Sequence, residues 1–522
     1  MEESMRIREG IKNKRAFIRG SATNDFLASI VVFLVALPLC MGIAIASGVP
    51  PAKGLITGII GGIVVNIFSG SPLQVSGPAA GLAVVVAELI QEYGIEMLGP
   101  VLLLAGFMQW LAGAFKLGQI FRAMSPAVIY GMLAGIGVLI FASQFHVAID
   151  EKPHTHGLDN LLAIPASIQK AILPPASSNH HIAALIAIAT IITIILWDKF
   201  KPKSLRLLPG ALIGVVLTTA IATSLRLPIQ YVNVPGNLLE AVQLPQPAGL
   251  FRLLHAPLIL EALAIAFIAS AESLLSAVAV DRLHSGERTD FDKELSAQGI
   301  GNMICGALGA LPMTGVIARS SVNVEAGGKT KLSAILHGVW ILILVVAAPG
   351  LLRMIPTSSL AAILLVTGIK LIEVEHIRKL KFYGKAPLAI FFATFIGIVV
   401  TDLLSGVLIG IVLTAMTLLY KMSRLNIHMQ RDDDRPRIDI YLEGAATFIR
   451  LPKLAAALEQ LPPQKELHVH LDKLAYIDHS SMDLISMWAK QQEQMGSQVV
   501  MQWDGLEDRF RRPFLPGRAI AA

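Results

Sequence analysis

Two cysteines in 522 residues, Cys40 and Cys305, both inside apolar stretches, give no disulfide framework and no metal-ligand spacing. Charge is scarce as well. Only 15% of residues are Asp, Glu, Lys or Arg against 54% hydrophobic, and the mean hydropathy of +0.64 is above that of a soluble chain this long. No phosphate-cradling glycine loop, ATPase motif or nucleophile paired with a base is present, so nothing supports enzymatic catalysis. A cleavable signal is missing too: residues 1–20 carry Arg6, Arg8, Lys12, Lys14, Arg15 and Arg19 without a short apolar core or a small-residue cleavage site. What remains is a multi-pass protein of the plasma or inner membrane. Its basic N-terminal arm is an orientation signal for the cytoplasmic side, and the net charge of +6 needs no nucleic acid, because basic loops are the default in membrane proteins.

Apolar runs of spanning length place crossings at 25–47, 54–68, 98–115, 120–145, 182–197 and 207–223, then at 257–280, 295–311, 332–352, 358–371, 387–404 and 406–420. Two further apolar segments, 71–92 and 312–326, are broken near their starts by Ser76-Gly77-Pro78 and by Pro312 and Gly315, which brings the total to fourteen. With both counted, the Lys- and Arg-rich loops fall on one side and both termini are cytoplasmic. The broken segments are third and tenth, third in each half of seven. An odd number of crossings per half gives the halves opposite orientation, as in an inverted repeat whose discontinuous helices meet near the midplane.

A helix that starts inside a membrane leaves its first N–H groups unpaired, and lipid cannot satisfy them. In the first segment Pro78 fits the first helical position, so the amides of Ala79, Ala80 and Gly81 face a pocket. In the second a helix restarts at about Val316, with the amides of Val316, Ile317 and Ala318 free and Arg319 one turn in. Each helix start carries about half a positive charge. One small anion is the expected ligand, with Ser76, Ala79, Ala80, Gly81, Gly315, Val316, Ile317 and Arg319 as candidate contacts. A carboxylate completes the set: Glu272 in SAESLLSAVAVDRL lies deep in its span, where an unpaired charge costs on the order of 3 kcal/mol or more. It is therefore paired with Arg319, protonated, or occupied by a coupling cation, with Ser276 one turn on as a further oxygen ligand. Glu261 and Glu88 sit nearer the boundary, where Glu261 lines an entrance.

The run DFDKELSAQGIGNMICGALGALPMTGVIARSSVNVEAGGKTKLSAILHG at 290–338 resembles the sulfate permease (SulP) family of inorganic anion transporters, and SPLQVSGPAAGLAVV and ALPLCMGIAIASG resemble that family's third and first spans. The resemblance implies an α-helical membrane protein of fourteen segments in two seven-segment inverted repeats. It implies a core domain (spans one to four and eight to eleven) moving against a gate domain, and a homodimer. It also implies that Ala79, Ala80, Gly315, Val316 and Ile317 supply the anion-site backbone and that Glu272 is the transmembrane acid. Sodium-coupled bicarbonate members have an Asp and nearby threonines where this chain has Glu272, Ser276 and Ile317. That departure counts against sodium and leaves the proton as coupling ion.

After Tyr420 the composition changes. A polar linker at 424–435 leads to alternating IDIYL at 438–442, a helical pattern at 452–461, ELHVHL at 466–471, a helix at 481–495 and QVVMQW at 498–503. This small α/β domain, 436–510, resembles the cytoplasmic STAS domain of SulP proteins, with a tail at 511–522. The chain then divides into a basic arm (1–23), a transport domain (24–423), the linker and the STAS-like domain. Ser480 in the YIDHS turn reads either as a regulatory serine, where a cytoplasmic partner of the STAS domain would act, or as a helix N-cap. His468 and His470, alternating on a strand, are a weak metal pair. The leading function is secondary transport of a small anion without a bound cofactor beyond a coupling H+ or Na+. Bicarbonate and sulfate are favoured, and bicarbonate slightly, because LPMTGVIARSSVNVEAGGKTKLS looks like bacterial members associated with inorganic carbon. The alternatives are a sensor or channel-like protein with a STAS output and, behind it, a nucleobase permease.

Overall fold

The computed structural model describes residues 2–121, 125–154, 156–173, 179–202, 205, 208–253, 255–372, 374–431, 437–462 and 466–502. The side chains of residues 1–21, the end of the polar linker at 432–435, and residues 503–522, with Trp503 and the tail, lie outside the described residues. The chain forms two compact units, 1–411 and 412–522.

In chain order the first half of the membrane unit contains α1 (Glu2–Ala46), α2 (Pro51–Ile60), α3 (Asn66–Phe68), β1 (Ser76–Pro78), α4 (Ala83–Tyr93), α5 (Leu98–Ala114), α6 (Gly118–Phe121), α7 (Pro126–Ala148), α8 (Gly157–Ile172), α9 (His180–Phe200) and α10 (Gly210–Ser224). The second half continues with α11 (Pro247–Arg252), α12 (Ala256–Leu283), α13 (Phe291–Ala307), β2 (Met313–Gly315), α14 (Ile317–Glu325), α15 (Lys331–Ala347), α16 (Pro349–Leu352), α17 (Thr357–Leu371), α18 (Val374–Phe382), α19 (Lys385–Val400) and α20 (Leu403–Met422). Among the described residues seven helices are long and apolar enough to cross a membrane and four more are shorter but apolar. With α13 and the two interrupted segments these are the fourteen segments of the expected fold.

Two groups of helices pack within the unit. In one, α5 lies along α13 and α12, and α1 along α15 and α2. In the other, α7 lies against α17 and α19, and α9 against α10 and α17. Close approach in the first group depends on glycine: a Cβ on Gly106 would stand 2.5 Å from the Met303 nitrogen, and one on Gly299 2.4 Å from that of Trp110. The second crossing contains a π-helical turn, Gly61–Val65, between α2 and α3, and the Asn66 amide donates to the Gly61 and Gly62 carbonyls that this irregularity frees. Helix α13 starts four residues before the apolar run, at Phe291, because the Asp290 carboxylate accepts the amides of Asp292 and Lys293 and caps it. The expected loop at 146–181 contains α8, whose amphipathic pattern is shorter than a crossing.

The C-terminal unit carries β3 (Leu425–Arg431), β4 (Arg437–Ala446), α21 (Leu451–Glu459), β5 (Glu466–His470), β6 (Leu474–Ile477), α22 (His479–Gln494) and β7 (Gln498–Gln502). Strand order is β3-β4-β5-β7 with β6 also on β4. Only the β3–β4 pair is antiparallel. Alternation puts Ile438, Ile440, Leu442, Leu467 and Val469 on the face covered by α21 and α22. Strand β3 occupies the first part of the expected linker: Leu425, Ile427 and Met429 alternate with polar residues, a strand pattern that the linker reading overlooked, and Leu425 and Ile427 join the core. Ser480 is not the N-cap. Asp478 takes that place, accepting the Ser481 amide at 2.8 Å, and leaves Ser480 exposed in the first turn of α22. The two histidines are engaged as single pairs, His468 Nε2 with Glu466 at 2.7 Å and His470 Nε2 with Asp439 at 2.7 Å. No cluster of three metal-capable side chains exists among the described residues.

Glu151, in the turn after α7, accepts hydrogen bonds from Ser167 Oγ at 2.8 Å and from Lys170 of α8. Burial pushes its carboxyl up, but the hydrogen bonds from Lys170, Ser167 and His146 outweigh this and hold it at about 2. A carboxyl depressed in the folded state stabilises it above the unfolded value of about 4.3, and that contribution disappears as pH falls through about 2. The melting temperature of Glu151→Gln should therefore lie below wild type at pH 5 and above, and the difference should close between about pH 4.3 and 2. A difference independent of pH would show that the carboxylate's charge plays no part.

Candidate functional site

The apolar run at 310–316 does not continue as helix because Pro312 and Gly315 break it. Its backbone groups turn instead to the matching break in the first half. Strands β1 and β2 form an antiparallel two-stranded ribbon with Ser76 opposite Gly315, Gly77 opposite Thr314 and Pro78 opposite Met313. The ribbon extends one bond at each end, from Ala79 N to Pro312 O at 3.2 Å and from Val316 N to Val75 O at 2.9 Å. Pro78 is thus the last strand residue and not the first helical one. With no N–H to contribute, it suits a strand end as well as a helix start. Ala79, Gly315 and Val316 also differ from expectation: their amides are bound within the protein, that of Gly315 to Ser273 Oγ at 3.1 Å.

From the ribbon two helices run outward in opposite senses. One is the 3-10 turn Ala80–Leu82 leading into α4, the other is α14. Their first amides, of Ala80 and Gly81 and of Ile317 and Ala318, have no intrahelical acceptor. Around these amides Ile317 is 43% exposed, Ala318 is exposed, Val316 and Ala80 are partly so, and Gly81 is buried. Arg319 comes two residues after Ile317, some 200° round the helix, and faces the opposite way. It is fully buried, with Nη1 3.4 Å from Cys40 Sγ and with Nε and Nη2 lacking any hydrogen-bond partner. Its guanidinium lies flat behind the ribbon, where a Cβ on Gly77 would be 2.0 Å from Nη1.

Glu272 approaches the ribbon at Thr314, the residue paired with Gly77. Its carboxylate lies against Gly81, where a Cβ would come within 1.8 Å of Oε1, and beside the Thr314 side chain. It forms no ion pair with Arg319, so of the three states open to it from the sequence, pairing is removed. Ser276, 9% exposed, is one turn further along the same face of α12. Ser76 Oγ points away from the helix starts and accepts from Gln298 Nε2 at 2.7 Å. The structure thus sets Glu272 against Gly81, Arg319 against Gly77 and Ser76 Oγ against Gln298. A cavity of about 340 Å³ lies along the C-terminal half of α14 between α1, α9, α10 and α17, and contains none of these residues.

A model described as the sulfate permease family matches residues 23–394, through both interrupted segments. The chain belongs to the sulfate permease family. It is similar, at 32% identity over 88% of this chain and 87% of the other, to a Bacillus subtilis protein named "Putative sulfate transporter YvdB". It is 27% identical to the bicarbonate transporter BicA of Synechocystis over 77% of this chain and 70% of that one. The solved transmembrane domain of a cyanobacterial BicA matches with a TM-score of 0.62 and 26% identity, covering 75% of this chain and 97% of that one. A structure of SLC26A9 shares the fold at a TM-score of 0.74 and 15% identity, covering 96% of this chain and 88% of that one.

What sequence reasoning missed in this sulfate permease-family site is its framing: Gln74, whose Nε2 donates to the Ser273 carbonyl at 3.1 Å and lies over Gly315, and the polar side chains of α13. Periodicity hid them. Single Gln and Asn residues in an apolar run read as tolerated exceptions, although burial of an amide demands partners. The close contact behind the ribbon gives a test. Gly77→Ala must displace the Arg319 guanidinium from a fully buried position and so disturb the field at the helix starts, whereas Gly327→Ala, at a position with open space, adds only backbone strain at φ 90°. Anion affinity measured by calorimetry should fall about tenfold or more for Gly77→Ala and stay within about threefold for Gly327→Ala. Equal affinities for the two would mean that Arg319 has no influence on the site.

Proposed function

We propose that this chain is a secondary transporter of a small inorganic anion, bicarbonate or sulfate, held between the helix starts at Ala80–Gly81 and Ile317–Ala318. The observation that carries this reading is electrostatic. Two opposed helix N-termini, worth roughly half a charge each, and a buried Arg319 without a carboxylate partner leave positive potential around an accessible space deep in the membrane unit. An anion there removes the imbalance, and four backbone amides can donate to it. The names of relatives, bicarbonate transporter and sulfate transporter, support the same ligand class.

Glu272 supplies the coupling. An arriving anion puts negative charge beside the carboxylate at Gly81, so the protonated acid accommodates it better than the ionised one. Anion and proton are then taken up together, and the site alternates between the two sides as the first helix group moves against the second. Glu272 and Ser276 in place of an Asp and threonines favour the proton over sodium. We place both termini in the cytoplasm, since the Lys- and Arg-rich loops agree on that side, and assign a homodimer. Ser480, exposed at the start of α22, is the position at which phosphorylation or a cytoplasmic partner would act on the C-terminal unit.

Purified protein in liposomes, given labelled bicarbonate or sulfate under separate proton and sodium gradients, tests this directly. Uptake should follow the proton gradient, and Glu272→Gln, which mimics the neutral acid, should keep anion exchange while losing gradient-driven accumulation. Sodium-driven uptake at constant pH would reassign the coupling ion. A wild-type protein that moves neither anion would favour a sensor.

A further inference from the structure

Helix α13 presents Glu294, Gln298 and Asn302 at intervals of four residues, all three with no solvent exposure. Three buried polar side chains on one face of a membrane helix are costly unless each is matched. Most of their partners belong to the ribbon or to the turn that enters it. Asn302 binds both backbone groups of Met313, donating from Nδ2 to its carbonyl at 3.1 Å and accepting its amide at 2.8 Å, as a neighbouring strand would. Its second Nδ2 hydrogen goes to Gln109 Oε1 at 2.7 Å. Gln298 donates to Ser76 Oγ at 2.7 Å and to Glu294 Oε1 at 2.8 Å. The other Glu294 oxygen accepts from Ser69 Oγ at 2.7 Å, Gly70 N at 2.9 Å and Ser71 N at 3.0 Å.

The spacing matters. Met313 and Ser76 stand at opposite ends of the ribbon, since Met313 pairs with Pro78 and Ser76 with Gly315. Two strand residues span about 6.7 Å and four helix residues about 6 Å. Asn302 and Gln298 therefore grip the two ends of the ribbon from one rigid rod, and the ribbon is what separates the two helix starts. We propose that Gln298 and Asn302 are positioning residues that fix the distance between those helix starts, and thereby the size and shape of inorganic anion the site prefers. The inference rests on the site reading above and adds the element that sets its selectivity. Fixed donors favour one geometry of oxygens, whereas donors that can shift adapt to planar and tetrahedral anions alike.

The test uses Gln298→Met and Asn302→Leu, near-isosteric replacements that remove the grip, and Ser76→Ala, which removes one hydroxyl from the ribbon should the first two fail to fold. Each is checked for monodisperse elution and melting temperature, then assayed in liposomes with bicarbonate and with sulfate. KM for the preferred anion should rise about tenfold while kcat stays within about twofold, and the ratio of the two anions' KM values should move toward one. Ser76→Ala combined with Gln298→Met should be no worse than Gln298→Met alone, because both delete the same hydrogen bond. Folded variants with wild-type KM and wild-type anion preference overturn the inference, as would fully additive losses in that double variant. Absence of saturable uptake of both anions by the wild-type protein would instead overturn the site reading beneath it.

Discussion

A chain that breaks its helix inside a membrane must find a partner for every backbone group it frees, and this protein meets that demand by pairing its two breaks with each other. The ribbon formed by Ser76–Pro78 and Met313–Gly315 satisfies the amides and carbonyls that neither half could satisfy alone. The groups left over once the ribbon has formed are the first amides of the two helices that leave it.

Two charged side chains stand beside the ribbon and the helix starts, Arg319 against Gly77 and Glu272 against Gly81, and they form no ion pair with each other. Apart, each stays available: the guanidinium as a fixed source of positive potential, the carboxyl as a group whose proton occupancy responds to what lies beside it. Glycine is required at both contacts for the same steric reason, and at Gly315, where Gln74 Nε2 lies 1.2 Å from a Cβ position.

The supporting shell is unusually polar for its depth. Glu294, Gln298, Asn302, Gln109 and Gln74 are all buried, and their hydrogen bonds tie α5, α12 and α13 to the two strands. Hydrogen bonds in such surroundings are directional where apolar packing is not, which makes them suited to holding a short ribbon in one register. Two orphaned carbonyl oxygens remain, on Gln74 and Gln298, at the edge of this network.

Sequence alone determined the class of protein, the fourteen segments, the two breaks at matching positions and the presence of Glu272 and Arg319 within the membrane unit. Each follows from local facts: hydropathy over spanning lengths, Pro and Gly in an apolar run, and the cost of a charge at mid-membrane. Only the tertiary structure decided how those residues meet. That the broken stretches become strands, that Ala79 and Val316 spend their amides on the ribbon while Ala80 and Ile317 do not, and that Arg319 turns away from Glu272 depend on pairing between residues more than two hundred positions apart. A hydrogen-bonding group carries no mark of its partner in its own sequence; the partner is chosen when the two halves of the chain are brought together.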